Sequence, residues 1–230
     1  MIETIAGTDL RMTDTAWPFA EANRDAIAAH WRQAQQRRPA LFDGQVLGAL
    51  APRVVGGILT AELIVTRFSA FLAWRDWGFP DQSYFNAFGS AIIAGNDGGL
   101  IYGVMGEHTS NAGHVYPCGG SLEPGDVGSD GVADVFASTA RELAEETGLD
   151  ARDASCGGDF LVSTGQLLSI ARLYVFDMPA AALATRIRDN LDRQTDRELS
   201  DVVVLTRAAD LDPAASPRYA LEAARHLLGG

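Results

Sequence analysis

The chain has 230 residues, 47% hydrophobic and 21% charged, which suits a globular protein with room for one large domain or two smaller ones. A formal net charge of −12 excludes bulk electrostatic attraction to polymeric nucleic acid or an anionic membrane, but not small nucleotides, whose sites a bound cation can make locally positive. Cys118 and Cys156 form no disulfide framework, no run approaches the ~18 apolar residues of a membrane span, and the N-terminus lacks the basic and apolar segments of a signal peptide. A cytoplasmic location is the expectation.

The spacing predicts an amphipathic helix over 18–37, with Ala20, Ile27, Trp31 and Ala34 on one face and Asn23 as its polar exception. Arg38-Pro39 ends it. The β-branched run from Arg53 to Arg67 reads as two strands around Gly56-Gly57, followed by a short helix from Phe68 to Trp77. Gly78 to Ser83 marks the expected boundary between an N-terminal extension, 1–82, and a core domain, 83–230. Asn96-Asp97-Gly98 between the apolar runs Phe88–Ala94 and Gly99–Met105 is a hairpin signal. Glu107 to Gly113 reads as a polar loop and His114 to Tyr116 as a short strand. A helix is expected from about Asp134 to Thr147, stopped by Gly148, with Phe136, Ala140, Leu143 and Thr147 on its buried stripe. Strands at Asp159–Ser163 and Leu167–Asp177, a helix at Pro179–Asp192, a strand at Asp201–Thr206 and a closing helix at Pro217–Leu228 complete the reading.

Two neighbouring segments carry the chemistry. Pro117-Cys118-Gly119-Gly120-Ser121-Leu122-Glu123-Pro124-Gly125-Asp126 is a loop whose glycines permit close approach of backbone to a ligand. Arg141-Glu142-Leu143-Ala144-Glu145-Glu146-Thr147-Gly148-Leu149 places three carboxylates at helical spacings i, i+3 and i+4. Glu142, Glu145 and Glu146 are therefore expected to point the same way. Like charges so crowded call for a cation, and hard divalent ions prefer carboxylate oxygens. A solvated acidic face is the alternative reading of the helix taken alone.

At these residues the chain resembles the Nudix hydrolase family, whose signature is G-x5-E-x7-R-E-U-x-E-E-x-G-U with U aliphatic. The second half matches from Arg141 to Leu149, and the first half matches as Gly120 followed after five residues by Asp126 in place of Glu. Fourteen residues, Val127 to Ala140, stand where the pattern has seven. The addition reads as a loop around Val127-Gly128-Ser129-Asp130-Gly131, expected to have few fixed partners. Asp134 is the rival to Asp126 for the first acidic position, and it also suits a helix N-cap. A looser similarity to the UDP-sugar diphosphatase branch of that family covers Trp31, Arg38–Gly44 and Thr66–Ala73.

The resemblance implies an α+β fold, an α/β/α sandwich with a mixed sheet, here carrying an N-terminal α/β extension. It implies a hydrolase that cleaves the diphosphate of a nucleoside diphosphate linked to another moiety, such as a UDP-sugar. It implies Mg²⁺, with Mn²⁺ as a possible substitute, neutralising the phosphate oxygens, holding the substrate and acidifying a water. Glu142, Glu145 and Glu146 are the expected metal ligands, with a backbone carbonyl at Gly119. Gly120, Glu123 and Asp126 belong to the expected substrate loop. Arg141 is expected to orient the glutamates. Glu198 is the candidate base for the attacking water, with Glu145 and Glu146 as alternatives. The other reading is a nucleotide-sensing domain of the same family without turnover; the presence of all three glutamates favours the enzyme. Oligomeric state is open.

Overall fold

The computed structural model describes residues 1–229. Ten strands and six helices occur in the order β1 (Ile2–Ile5), β2 (Gly7–Met12), α1 (Pro18–Ala22), α2 (Arg24–Arg37), β3 (Gln45–Val55), β4 (Ile58–Arg67), α3 (Phe68–Asp76), β5 (Tyr84–Gly95), β6 (Leu100–Met105), β7 (Val115–Tyr116), α4 (Val135–Thr147), β8 (Ala154–Thr164), β9 (Leu167–Phe176), α5 (Ala180–Leu191), β10 (Leu199–Leu205) and α6 (Arg218–Leu228). The fold is a mixed, curled sheet packed between helices. Its main path runs β1-β8-β9-β5-β3-β4-β2, with β6 joining β5 to β10 and β7. No helix among the described residues is long and apolar enough to cross a membrane.

β5 is the hub. Ser90 to Ala94 are all buried without alternation, as expected of a strand covered on both faces. β5 runs parallel to β9 from Asn86 to Gly95. Its other edge is divided: Tyr84 and Phe85 pair with β3, and Ile93 and Ala94 pair with β6. The glycine loop fills the gap between them. The Gly89 N–H donates to the Gly120 carbonyl at 3.2 Å, and the Ala91 N–H donates to the Cys118 carbonyl at 2.7 Å. The Leu47 N–H of β3 donates to the Leu122 carbonyl at 2.7 Å, so the loop is held from both sides as a surrogate strand.

Several expectations need correction. The helix expected over 18–37 is two helices, broken at Asn23, whose side-chain amide donates to the Phe19 carbonyl at 2.8 Å. A polar side chain that bonds the local backbone competes with the helix there. β1 and β2 were not legible, because their alternation is short and polar, and β3 begins well before Arg53. The added segment between the glycine loop and α4 is no free loop. It is a tight hairpin in which the Gly128 N–H donates to the Val132 carbonyl at 2.9 Å. β2 grips its outer edge: the Met12 N–H donates to the Gly131 carbonyl and the Ala133 N–H to the Leu10 carbonyl, both at 2.9 Å. The glycines serve the turn instead of mobility, with Gly131 at φ 77°.

Three apolar clusters hold these parts. One joins β5, β6 and β9 to α5 and α6. A second brings Ile5, Leu10, Leu47 and Leu63 from the first 82 residues against Leu122, Val135, Leu161 and Ile170. A third is aromatic: Trp17 stacks on Tyr84 at 3.9 Å, and Trp74 meets the same ring edge-on at 4.7 Å. Asp81 accepts the Trp17 indole N–H at 2.7 Å and closes this cluster. Tyr84 is thus a core residue.

Candidate active site

Helix α4 begins where Asp134 accepts the Ala137 N–H at 2.9 Å, an N-cap, and ends at Gly148 in the left-handed conformation with φ 71°. Its N-terminal half crosses β5 at Gly89, where any Cβ would lie 2.5 Å from the Thr139 hydroxyl. That close approach sets α4 directly behind the glycine loop.

The three glutamates, expected from their spacing to point the same way, differ in burial. Glu146 is 4% exposed, whereas the Glu145 side chain is 61% exposed. Glu142 lies between, at the loop: a Cβ on Gly120 would touch its carboxyl group at 3.1 Å. A helical face spanning i to i+4 is wide enough that its far edge turns under the loop while its near edge stays in solvent.

Arg141 ties this face to the loop. It donates to Glu142 Oε1 at 2.8 Å, to Glu145 Oε2 at 3.5 Å, and through its other terminal nitrogen to Asp126 Oδ1 at 3.0 Å. Asp126 also accepts the Glu123 N–H at 2.9 Å. Asp126 and Asp134 therefore have separate tasks, one pairing Arg141 and the other capping α4.

Glu146 Oε1 accepts the Gly119 N–H at 3.3 Å, while its Oε2 is buried without a partner among the described residues. Gly119 has φ 150°, and any Cβ there would lie 2.1 Å from the Gly89 carbonyl oxygen. Burial, aided by the charges of Glu198 and Glu142, pushes the Glu146 carboxyl up to about 8; the Cys118 thiol and the Gly119 N–H pull it the other way. Burial likewise raises Glu142, with Glu145 and Glu198 adding to the shift and Arg141 opposing it. Glu198, expected only from its place before a strand, is thus near enough for its charge to act on both glutamates. Its own carbonyl accepts the Gly106 N–H at 2.7 Å.

Two neighbours escaped the motif reading. The Cys118 thiol is buried against Glu146, and burial raises it well above its ordinary value. The Tyr116 hydroxyl accepts from Asn111 Nδ2 at 3.0 Å, and it titrates high through burial and the charges of Glu146 and Glu198. Tyr116 and Cys118 are two apart on an extended segment, and that period of two was the available signal.

No family model and no curated relative matches the chain. Solved structures do. Tm1382, provisionally assigned as a Nudix hydrolase, is 14% identical over 80% of this chain and 98% of its own, with a TM-score of 0.45. The MutT protein from Methanosarcina mazei Go1 is 18% identical over 62% of this chain and 92% of its own, with a TM-score of 0.42. RenU, a Nudix hydrolase from M. Smegmatis, is 12% identical over 61% and 82%, with a TM-score of 0.40. Two of these three are named as Nudix hydrolases and the third as a MutT protein. Likeness at this level carries nothing about chemistry, which must come from the residues.

Among the described residues no three His, Cys, Asp or Glu converge at metal-binding spacing. The donor chemistry nevertheless suits a hard cation. Burial and neighbouring acids raise the proton affinity of both Glu142 and Glu146, and one buried oxygen of Glu146 lacks a partner. A divalent ion answers both conditions.

Proposed function

We propose that the chain is a Nudix-type pyrophosphohydrolase acting on a nucleoside diphosphate linked to another moiety, with a UDP-sugar as the preferred substrate class. The observation that carries this is Glu146: a buried carboxylate with an unpartnered oxygen, beside Glu142 and held by the backbone of the glycine loop. Burying such a group costs several kcal/mol unless something compensates it, on the order of the penalty for an unpaired internal charge.

In this reading Glu142 and Glu146, with Glu145 and the Gly119 carbonyl, are the residues that would hold Mg²⁺, or Mn²⁺ in its place. The ion would supply charge neutralisation of the diphosphate oxygens and a more acidic water. Arg141 positions Glu142 through the bonds described, and Asp126 fixes Arg141. Gly120 and Glu123 line the diphosphate's path. Glu198 removes the proton of the attacking water as an oxygen–phosphorus bond forms and the bridging bond breaks, giving UMP and a sugar 1-phosphate. Residues 83–230 form the hydrolase unit, and residues 1–82 are an extension that contributes to substrate selection. The extension reaches the site through Arg75, which donates to Asn111 Oδ1 at 3.4 Å, and Asn111 in turn bonds Tyr116. Two unpaired cysteines accord with a reducing, cytoplasmic setting.

The test is a Mg²⁺-dependent screen of UDP-glucose, ADP-ribose, NADH, dinucleoside polyphosphates and CoA, with products identified by chromatography. UMP and glucose 1-phosphate are expected. Cleavage of ADP-ribose with UDP-sugars untouched would overturn the substrate assignment. Binding of these compounds without cleavage of any would replace the enzyme with a nucleotide sensor.

A further inference from the structure

A cleft of about 710 Å³ lies between α2 and the junction of β4 with α3, and no residue lining it belongs to the carboxylate site. Its volume falls in the range of small-molecule pockets. One wall is a face of α2, where Arg24, Trp31 and Arg32 lie at i, i+7 and i+8. The other is the start of α3, a nine-residue helix with no acidic residue in its first turn.

Two observations point to a bound anion. Thr66 and Ser69, each 7% exposed, line the cleft, and neither hydroxyl has a hydrogen-bond partner among the described residues. Neither hydroxyl is sealed in the core, and both residues line the cleft. Arg24 and Arg32 likewise make no ion pair among the described residues, in a chain whose net charge is −12. The N-terminus of α3 is already capped: Asp43 accepts the Ser69 N–H at 2.8 Å and lies 3.5 Å from Arg67 Nε. Glu21 and Asp25 at the rim offset two of the three arginines, leaving a neutral lining in a strongly acidic molecule. A phosphate alone would leave most of the cleft empty. The half-buried Trp31 indole, with Ile27 and Ala70, offers the remainder a flat apolar surface.

We propose that this cleft is a second ligand site, for a small phosphomonoester joined to a flat ring, the chemistry of a nucleoside monophosphate. The phosphate meets the Thr66 and Ser69 hydroxyls and Arg32, unpaired among the described residues, and the ring lies against Trp31. The proposal does not depend on the catalytic reading.

Calorimetric titration with UMP and with AMP, in EDTA so that no divalent ion engages the carboxylates, tests it. One molecule per chain should bind, and Trp31→Ala, Arg32→Ala and Thr66→Val should each weaken binding by ~10-fold. Thr66→Val preserves shape, Arg32 is exposed, and unchanged melting curves for both guard against misfolding. Glu146→Gln should leave the affinity unaltered. Absence of binding by both nucleotides would overturn the proposal. So would loss of binding in Glu146→Gln with retention in Trp31→Ala, or inorganic phosphate binding as tightly as UMP and indifferent to Trp31→Ala.

Discussion

Glu146 carries a cost in the fold and, in the proposed reading, a role in the site. Replacing it with Gln keeps its shape and removes a buried carboxyl group whose second oxygen has no partner among the described residues. If Glu146 holds the cation as proposed, turnover should fall at least ~100-fold, because a charged ligand is lost, while the thermal midpoint should hold or rise. Near-normal turnover in a steady-state assay would place the metal elsewhere. Gly119 answers to backbone geometry. With φ at 150° and the Gly89 carbonyl 2.1 Å from any Cβ, Gly119→Ala should cost roughly 1–3 kcal/mol in urea unfolding. Of the residues named from the motif, the acids and the glycines were legible by type and spacing. Their burial was not, since it depends on where the loop lies over α4, which no local pattern encodes.

At the scale of elements, the hairpin between the glycine loop and α4 works as a brace. β2 bonds its outer edge, Asp134 caps α4 at its base, and Asp126 bonds Arg141 across its mouth. Excising Val127–Gly131 removes the Met12 to Gly131 bond and the turn that supports Ala133. At about 1 kcal/mol net for each backbone bond, the loss should be about 2 kcal/mol in denaturant unfolding. An unchanged midpoint would mean the segment is free after all. The sequence read this segment as a loose loop because glycine and serine are common to mobile loops and tight turns alike, and the partner strand lies over a hundred residues away in the chain.

For the whole molecule, the first 82 residues share one apolar cluster with residues 83–230 and supply β1, β2, β3 and β4 to the same sheet. A chain restricted to 83–230 would expose Leu122, Val135, Leu161 and Ile170 and leave one edge of β5 without β3. Circular dichroism of that fragment should show no cooperative melting transition, and a sharp transition would establish that the unit folds alone.

By itself the sequence determined what depends on neighbours along the chain: the turns at Gly56-Gly57 and Asn96-Asp97-Gly98, the span and caps of α4, and the acidic motif with its likeness to a known hydrolase signature. These follow from local propensity, periodicity and spacing. Tertiary structure alone decided which glutamate is buried, that the glycine loop stands in for a strand between β3 and β6, and that β2 grips the added hairpin. Each of these turns on hydrogen bonds and desolvation between segments far apart in the chain, and such pairings are set by the packing of the whole sheet.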